Sequence, residues 1–375
     1  MPTQDPSTSL FPSLDSIEAV LWPAAALIVF VTTAVLVDIM ILLAARWRLV
    51  DLPNRRSAHS LPTARGGGLA LVATFSLAVL AVAIRWPSMA VPLLAGAVVP
   101  CLVIAAVGFV DDIRPLRASL RLFIQIAIAV LITGVLGPID AIAIPGLPRL
   151  EMGLFGWPFT IVWIVGMTNA FNFMDGSDGM AGLGAVTVGL FIGLLGWRLC
   201  APVPLLTGAF LAAAAAGFLV FNWPPARVFM GDVGSGFLGT FLAALPMLFP
   251  ATLRPLVFVP VVLCLWPYIF DPLISVLRRI ANRKNPFEPH REFLFHRLIR
   301  SRASHAQVAM LYALMAGIGG LAARMMVDGG VPDGIRAAAP LAVVAAAVGL
   351  TWSIERRCAR VDLAPAETGR APKPR

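Results

Sequence analysis

Charged side chains are scarce in this sequence, 13% of 375 residues against 59% hydrophobic ones, and the mean hydropathy is +0.86. A chain so short of charge cannot clothe a water-soluble surface, which excludes an ordinary soluble domain. Cysteine is sparse too. Cys101, Cys200, Cys264 and Cys358 lie far apart with no CxxC pair, so they read as core thiols, and neither a disulfide framework nor a zinc site is expected. No basic segment precedes the first apolar run, which is also too long for a signal peptide and reads as a retained span. No internal repeat of the transporter kind is visible.

What fills the chain is a series of apolar runs of about 20 residues with short polar breaks, the pattern of a polytopic helical membrane protein. Spans are expected at 18–44, 67–84, 89–109, 119–136, 155–173, 181–197, 203–221, 235–250, 255–276, 305–326 and 336–353, with the Gly- and Pro-containing stretch 138–154 a loop. The fold class is therefore an all-α polytopic integral membrane protein of about eleven helices. Its expected parts are a short polar lead (1–17), one transmembrane catalytic domain (18–354) and a basic, disordered tail (355–375). The breaks after odd-numbered spans, with Arg121 counted at the third, hold 23 of the 29 Lys and Arg residues. That bias puts them in the cytoplasm, the N-terminus outside and the C-terminus inside. The expected partner of this apolar surface is a lipid bilayer, not nucleic acid.

Polar chemistry gathers in those same breaks. The richest is Asn169-Ala-Phe-Asn172-Phe-Met-Asp175-Gly-Ser-Asp178-Gly-Met-Ala-Gly182, between two apolar runs. Asn169 and Asn172 share a helix face. Gly176 and Gly179 loosen the backbone so that Asp175 and Asp178 can turn toward one ligand. Oxygen-only ligands suit Mg²⁺ and phosphate rather than zinc or copper. Buried acids in a membrane protein are costly and usually functional. The first break contains Asn54, Arg56, His59 and Arg65-Gly66-Gly67-Gly68. Its arginines are forked phosphate donors, and its triple glycine opens a helix where backbone N–H groups could meet an anion. The second carries Asp111-Asp112, neighbours that cannot face one partner and so are expected to have different roles. The fourth runs from Asn222 through Asp232 to Ser235, which is placed to cap the next helix. The basic fifth break includes His290, Arg291 and His296. Six residues apart, these histidines lack helical zinc spacing and read as phosphate or nucleotide contacts.

Together these motifs resemble the polyprenyl-phosphate N-acetylhexosamine-1-phosphate transferases, glycosyltransferase family 4. They follow the family order over about residues 18–330. The resemblance implies transfer of a sugar 1-phosphate from a UDP-sugar to undecaprenyl phosphate with release of UMP. That would be the first step of a cell-envelope glycan such as O-antigen, catalysed at the cytoplasmic side of a bacterial inner membrane. It implies Mg²⁺, with Mn²⁺ able to replace it, held by Asp232 and Asp175. It implies Asp111, Asp112, Asp175 and Asp178 as catalytic residues. Asn54, Arg56, His59, Asn169, Asn172, Asn222, His290, Arg291 and His296 are the implied substrate contacts. A homodimer is compatible with it. One departure stands out. Where many members carry H-x-H-H, this chain reads Phe293-Leu294-Phe295-His296. Aromatic rings in place of hydrogen-bonding groups predict a sugar less polar than UDP-GlcNAc, for example a 6-deoxy N-acetylhexosamine. The rival class, a transporter using intramembrane aspartates, predicts acids near mid-membrane and broken helices in matching halves.

Overall fold

Long apolar runs have one local way to satisfy their backbone in lipid, the α-helix, and the computed structural model follows it. The structure describes residues 16–44, 46, 50–51, 62–85, 91, 94–285 and 290–363. Helix α1 is Ser16–Ala44, α2 is Gly68–Arg85, and α3 (Val99–Ile113) continues a π-helical turn at Leu94–Val98. Then come α4 (Ala118–Leu136), α5 (Gly156–Met174), α6 (Met180–Arg198) and α7 (Pro202–Asn222). Helix α8 (Gly231–Ala244) runs into a 3₁₀ turn at Leu245–Leu248. The chain closes with α9 (Arg254–Ala281), the seven-residue α10 (Leu294–Arg300), α11 (His305–Val327) and α12 (Asp333–Leu363).

Among the described residues ten helical stretches are long and apolar enough to cross a membrane. The other expected span, α2, is shorter, apolar over Gly68–Ile84. The expected loop at 138–154 is a small hairpin, β3 (Ala141–Ile142) against β4 (Leu150–Glu151). A second pair joins β1 (Val50–Asp51) to β2 (Thr63–Ala64). Three boundaries move in ways that matter. Helix α3 continues past 109 to Ile113 and takes Asp111 and Asp112 into its last turn. Helix α8 begins at Gly231 rather than 235, so Asp232 lies in its first turn. Helix α12 runs on to Leu363, so the expected tail from 355 is helical at its start, where Ile354 is buried and Glu355 meets two arginines.

The centre of the bundle is α8, buried at every residue from Val233 to Ala244. A helix apolar all round belongs in an interior. Phe237 and Phe241 close on Phe75 of α2 with ring centroids 5.8 and 4.8 Å away. Around it, α1, α4 and α12 expose Leu27, Ile28, Phe123 and Val344, as lipid-facing surfaces do. Small residues bring the inner helices together. A Cβ on Gly68 would lie 2.5 Å from Gly234 Cα, and one on Gly108 would lie 2.3 Å from the Asp232 carbonyl oxygen. Backbone therefore touches backbone where α3 crosses the start of α8. Gly108→Ala is expected to destabilise the protein by about 1–3 kcal/mol through overpacking and to displace Asp232. Thermal unfolding of the detergent-solubilised protein measures it, and an unshifted transition would contradict so close a crossing.

Candidate active site

The site begins with an unmet need. The first N–H groups of a helix lack intrahelical partners, and in an apolar bundle they must find others. At the start of α8 they find Asp112. Its Oδ1 accepts from Asp232 N–H at 3.1 Å, and its Oδ2 accepts from Val233 N–H at 3.2 Å. Asp112 is thus the cap of α8, supplied by another helix. Ser235 is not the cap. It sits one turn inside α8, where its hydroxyl donates to Gly231 O. Gly231, at φ +76°, adopts the left-handed region, and a side chain there would strike the Asp112 carboxylate.

Asp111 faces a different way, as its adjacency to Asp112 requires. Its Oδ1 accepts from Leu116 N–H at 2.5 Å, and its Oδ2 takes Arg121 Nη1 at 2.6 Å. The same Arg121 nitrogen reaches Asp232 Oδ2 at 3.2 Å. Asp232 Oδ1 receives Asn172 Nδ2 at 3.1 Å, and Asn172 also donates to Ser235 Oγ at 2.8 Å. One turn back on α5, Asn169 donates to Gln125 Oε1 at 2.7 Å. Four helix ends thus carry one network: α3, the start of α4, α5 and the start of α8.

Asp175 is half-buried beside it. Its carboxyl is held well above the usual carboxylate range, first by burial, then by the negative charges of Asp232 and Asp112. Arg65, 3.9 Å from Asp112, opposes this. Among the described residues no group of three or more His, Cys, Asp or Glu side chains is placed to hold a metal ion. The open, oxygen-only arrangement at Asp232 and Asp175 instead suits Mg²⁺, which is commonly held by one or two carboxylates plus substrate phosphates and water.

Other expected site residues take structural jobs. Asp178 Oδ2 accepts from Ala226 N–H at 3.0 Å. Buried Asn222 accepts from Gly179 N–H and donates to Val228 O. These bonds hold the 223–230 loop to the acidic turn. Two of the three N–H groups of the triple glycine are already taken. Gly67 and Gly68 donate to Phe229 O and Met230 O, both at 3.0 Å, docking the first break under the Asp232 segment. Asn54, Arg56 and His59 lie outside the described residues.

The basic loop is arranged around α10. Asp271 of α9 accepts from Leu294 N–H, Phe295 N–H and the Tyr312 hydroxyl. Phe295 is wholly buried, and a Cβ on Gly176 would lie 2.9 Å from its ring. Phe293 stacks between Phe173 and His290. The Phe293/Phe295 departure is therefore a packing change that seats α10 on the acidic turn. His290 Nδ1 accepts from Glu292 N–H, and Arg291 is exposed. His296 stacks on Phe295, its ring centroid 3.9 Å away. Its Nδ1 has no hydrogen-bond partner among the described residues. Burial, then the charges of Arg291 and Arg300, press its pKa down to about 4. In the ligand-free protein it is therefore an uncharged hydrogen-bonding group at neutral pH. Reading the sequence missed Arg121, Gln125 and the Ser177 Oγ–His305 Nδ1 contact at 2.9 Å. Arg121 and Gln125 could have been found as two polar residues four apart in an otherwise apolar span.

Comparison with known proteins points to one family. The family model for glycosyl transferase family 4 matches residues 94–249. The chain is 31% identical over 299 residues to the probable undecaprenyl-phosphate N-acetylglucosaminyl 1-phosphate transferase of Bacillus subtilis, covering 78% of this chain and 81% of that one. It is 33% identical over 306 residues to the decaprenyl-phosphate N-acetylglucosaminephosphotransferase of Mycolicibacterium smegmatis, covering 74% and 75%. It is also 33% identical over 212 residues to the phospho-N-acetylmuramoyl-pentapeptide-transferase of Streptococcus uberis, covering 52% and 61%.

Two measurements check the geometry directly. Asp112→Ala is expected to cost about 0.5–2 kcal/mol of stability as a lost helix cap, whereas Asp111→Ala is expected to cost less. Equal shifts in thermal unfolding would refute the division of roles. His296 supplies the second. Because its folded pKa lies below the unfolded value near 6.5, the unfolded chain binds more protons between that value and about 4. Stability should therefore be lost as pH falls across that window and regained as it rises. Imidazole NMR of ligand-free protein should find His296 still neutral at pH 5.5.

Proposed function

From the premise that the chain belongs to glycosyl transferase family 4, a family of membrane phosphosugar transferases, we propose that it moves N-acetylglucosamine 1-phosphate from UDP-GlcNAc to undecaprenyl phosphate. An oxygen of the lipid phosphate attacks the sugar-bearing phosphorus of the UDP-sugar. The P–O bond to the UMP phosphate breaks, and UMP leaves with the bond's electron pair. GlcNAc is preferred to a 6-deoxy sugar because the observation behind the latter, the Phe293/Phe295 pair, is accounted for by packing. The single observation carrying the proposal is the four-helix-end network around Asp232, open at one end of an apolar bundle. That site meets an amphiphilic acceptor whose phosphate lies at the membrane surface while its chain stays in lipid. That the acids of this network lie at helix ends rather than mid-span also weighs against a transporter.

Phosphoryl transfer between anions needs neutralisation and alignment more than covalent help. Arg121, between Asp111 and Asp232, offers a forked cation to a phosphate oxygen. Asn172 fixes the rotamer of Asp232. Asp111, unlike Asp112, is not tied to the α8 backbone and is the better candidate for orienting the attacking phosphate. Asp232 and Asp175 would hold Mg²⁺, which when bound neutralises the diphosphate and the charge developing on the leaving UMP. Asp112 and Asp178 are positioning residues. Following the arginine bias, this end of the bundle faces the cytoplasm.

Purified protein in nanodiscs is expected to release UMP from UDP-GlcNAc only when undecaprenyl phosphate and Mg²⁺ or Mn²⁺ are present, and to stop on chelation. Asp232→Asn, folded, should lose about 10²–10³-fold in kcat. A variant with near-normal turnover would move the metal assignment away from Asp232. No UMP release from any UDP-sugar would end the transferase reading. For orientation, Arg302→Cys and Glu151→Cys in a thiol-free background sit at exposed positions on opposite ends of the bundle. An impermeant reagent outside the cell should label only Glu151→Cys.

A further inference from the structure

Helix α10 is too short to hold its own position, since seven residues fall well below the length at which a helix is stable alone. Its location is set by its partners. From within the bundle Asp271 receives its first N–H groups at 2.7 and 3.1 Å. From the side it is held by the far end of the chain. Glu355, in the last turns of α12, meets Arg278 of α9 at 2.5 Å and Arg297 of α10 through the same oxygen, Oε1. Arg357 adds a bond to Ser301 O at 3.3 Å. The side chains of Arg278, Arg297 and Glu355 are 26%, 18% and 38% exposed, so this is a partly desolvated triad in which one carboxylate separates two guanidinium groups. Without it, like charges on α9 and α10 would face one another, and a tie would become a repulsion.

We propose that Glu355 is a positioning residue for the sugar-nucleotide side of the site. It pins α10 to α9, and so holds His296 and the Phe293/Phe295 seat against the acidic turn at Gly176. The consequence for substrate rests on the transferase reading, but the pinning does not. His296 and Arg297 are adjacent on one helical turn, so α10 cannot release Arg297 from α12 without moving His296. Nucleotide-sugar affinity is therefore under the control of a helix that lies outside residues 94–249, where the family match falls.

The test is Glu355→Gln in the full chain, which keeps size and removes charge. Amide hydrogen exchange over 294–301, without substrate, should accelerate about tenfold or more while α3 and α8 are unchanged. KM for the UDP-sugar should rise about tenfold, with kcat and the KM for the lipid acceptor within about threefold. The double variant R297E/E355R moves the carboxylate to α10, again between two guanidinium groups, and should restore both exchange and KM. Wild-type exchange in Glu355→Gln, or faster exchange with an unaltered KM, would overturn the proposal. So would a double variant that is not rescued. If Glu355→Gln does not fold, the double variant decides alone: folded with slow exchange supports the pinning, and anything else overturns it. Wild-type protein inactive on every UDP-sugar would strike the transferase reading instead, and the exchange data would still decide the pinning.

Discussion

Two backbone N–H groups at the start of α8 end on the Asp112 carboxylate, and the rest of the site depends on that pair of bonds. The first turn of the most buried helix lies where water cannot reliably serve its amides. A carboxylate from α3 answers both donors and favours the positive end of the helix dipole. Gly108 lets α3 approach, and Gly231 leaves room for the carboxylate. Gly67 and Gly68 secure the two preceding carbonyls. With backbone fixed on both sides, Asp232 has little freedom left. Asn172 and Arg121 remove most of the remainder.

The same geometry gathers negative charge. Two like charges about 4 Å apart at an effective dielectric near 20 repel by roughly 4 kcal/mol, comparable with much of a domain's net stability. Arg121 and Arg65 offset part of this around Asp111, Asp112, Asp175 and Asp232. Burial and the charges of Asp232 and Asp112 hold the Asp175 carboxyl well above the usual carboxylate range, toward its neutral form. A phosphorylated lipid and a nucleotide diphosphate would add further negative charge. On the proposed reading, such a site would gain from a divalent cation when loaded. That is a stronger reason to expect one than the presence of any single aspartate.

Periodicity and hydropathy made the spans legible, and the polar motifs at their breaks made the location of the site legible. Asp111, Asp112, Asn169, Asn172, Asp175 and Asp232 do converge. What the sequence could not carry was the direction in which each polar group points. Asp112 takes the capping role expected of Ser235 because the cap of α8 comes from 120 residues away rather than from the local chain. The triple glycine looks like an anion loop in one dimension, but three-dimensional docking consumes two of its three N–H groups. Phe295 looks like a substituted substrate contact until its burial under Gly176 is known. Hydrogen bonds between distant segments leave no period in a sequence, and these readings depended on them.

The site divides mechanically along the same line. Its acidic half is anchored by backbone hydrogen bonds among helices packed glycine to glycine, where small displacements meet hard atomic contact. Its basic half sits on one short helix held by side chains: an aspartate beneath and a glutamate beside, with stacked aromatic rings between. Side-chain ties of that kind can yield by fractions of an ångström without unfolding the bundle. On the proposed transferase reading, phosphoryl transfer would be strict about the alignment of attacking and leaving oxygens, whereas sugar-nucleotide recognition would have to admit a ligand and release UMP. Rigidity at Asp232 and compliance at His296 are what those two tasks separately require.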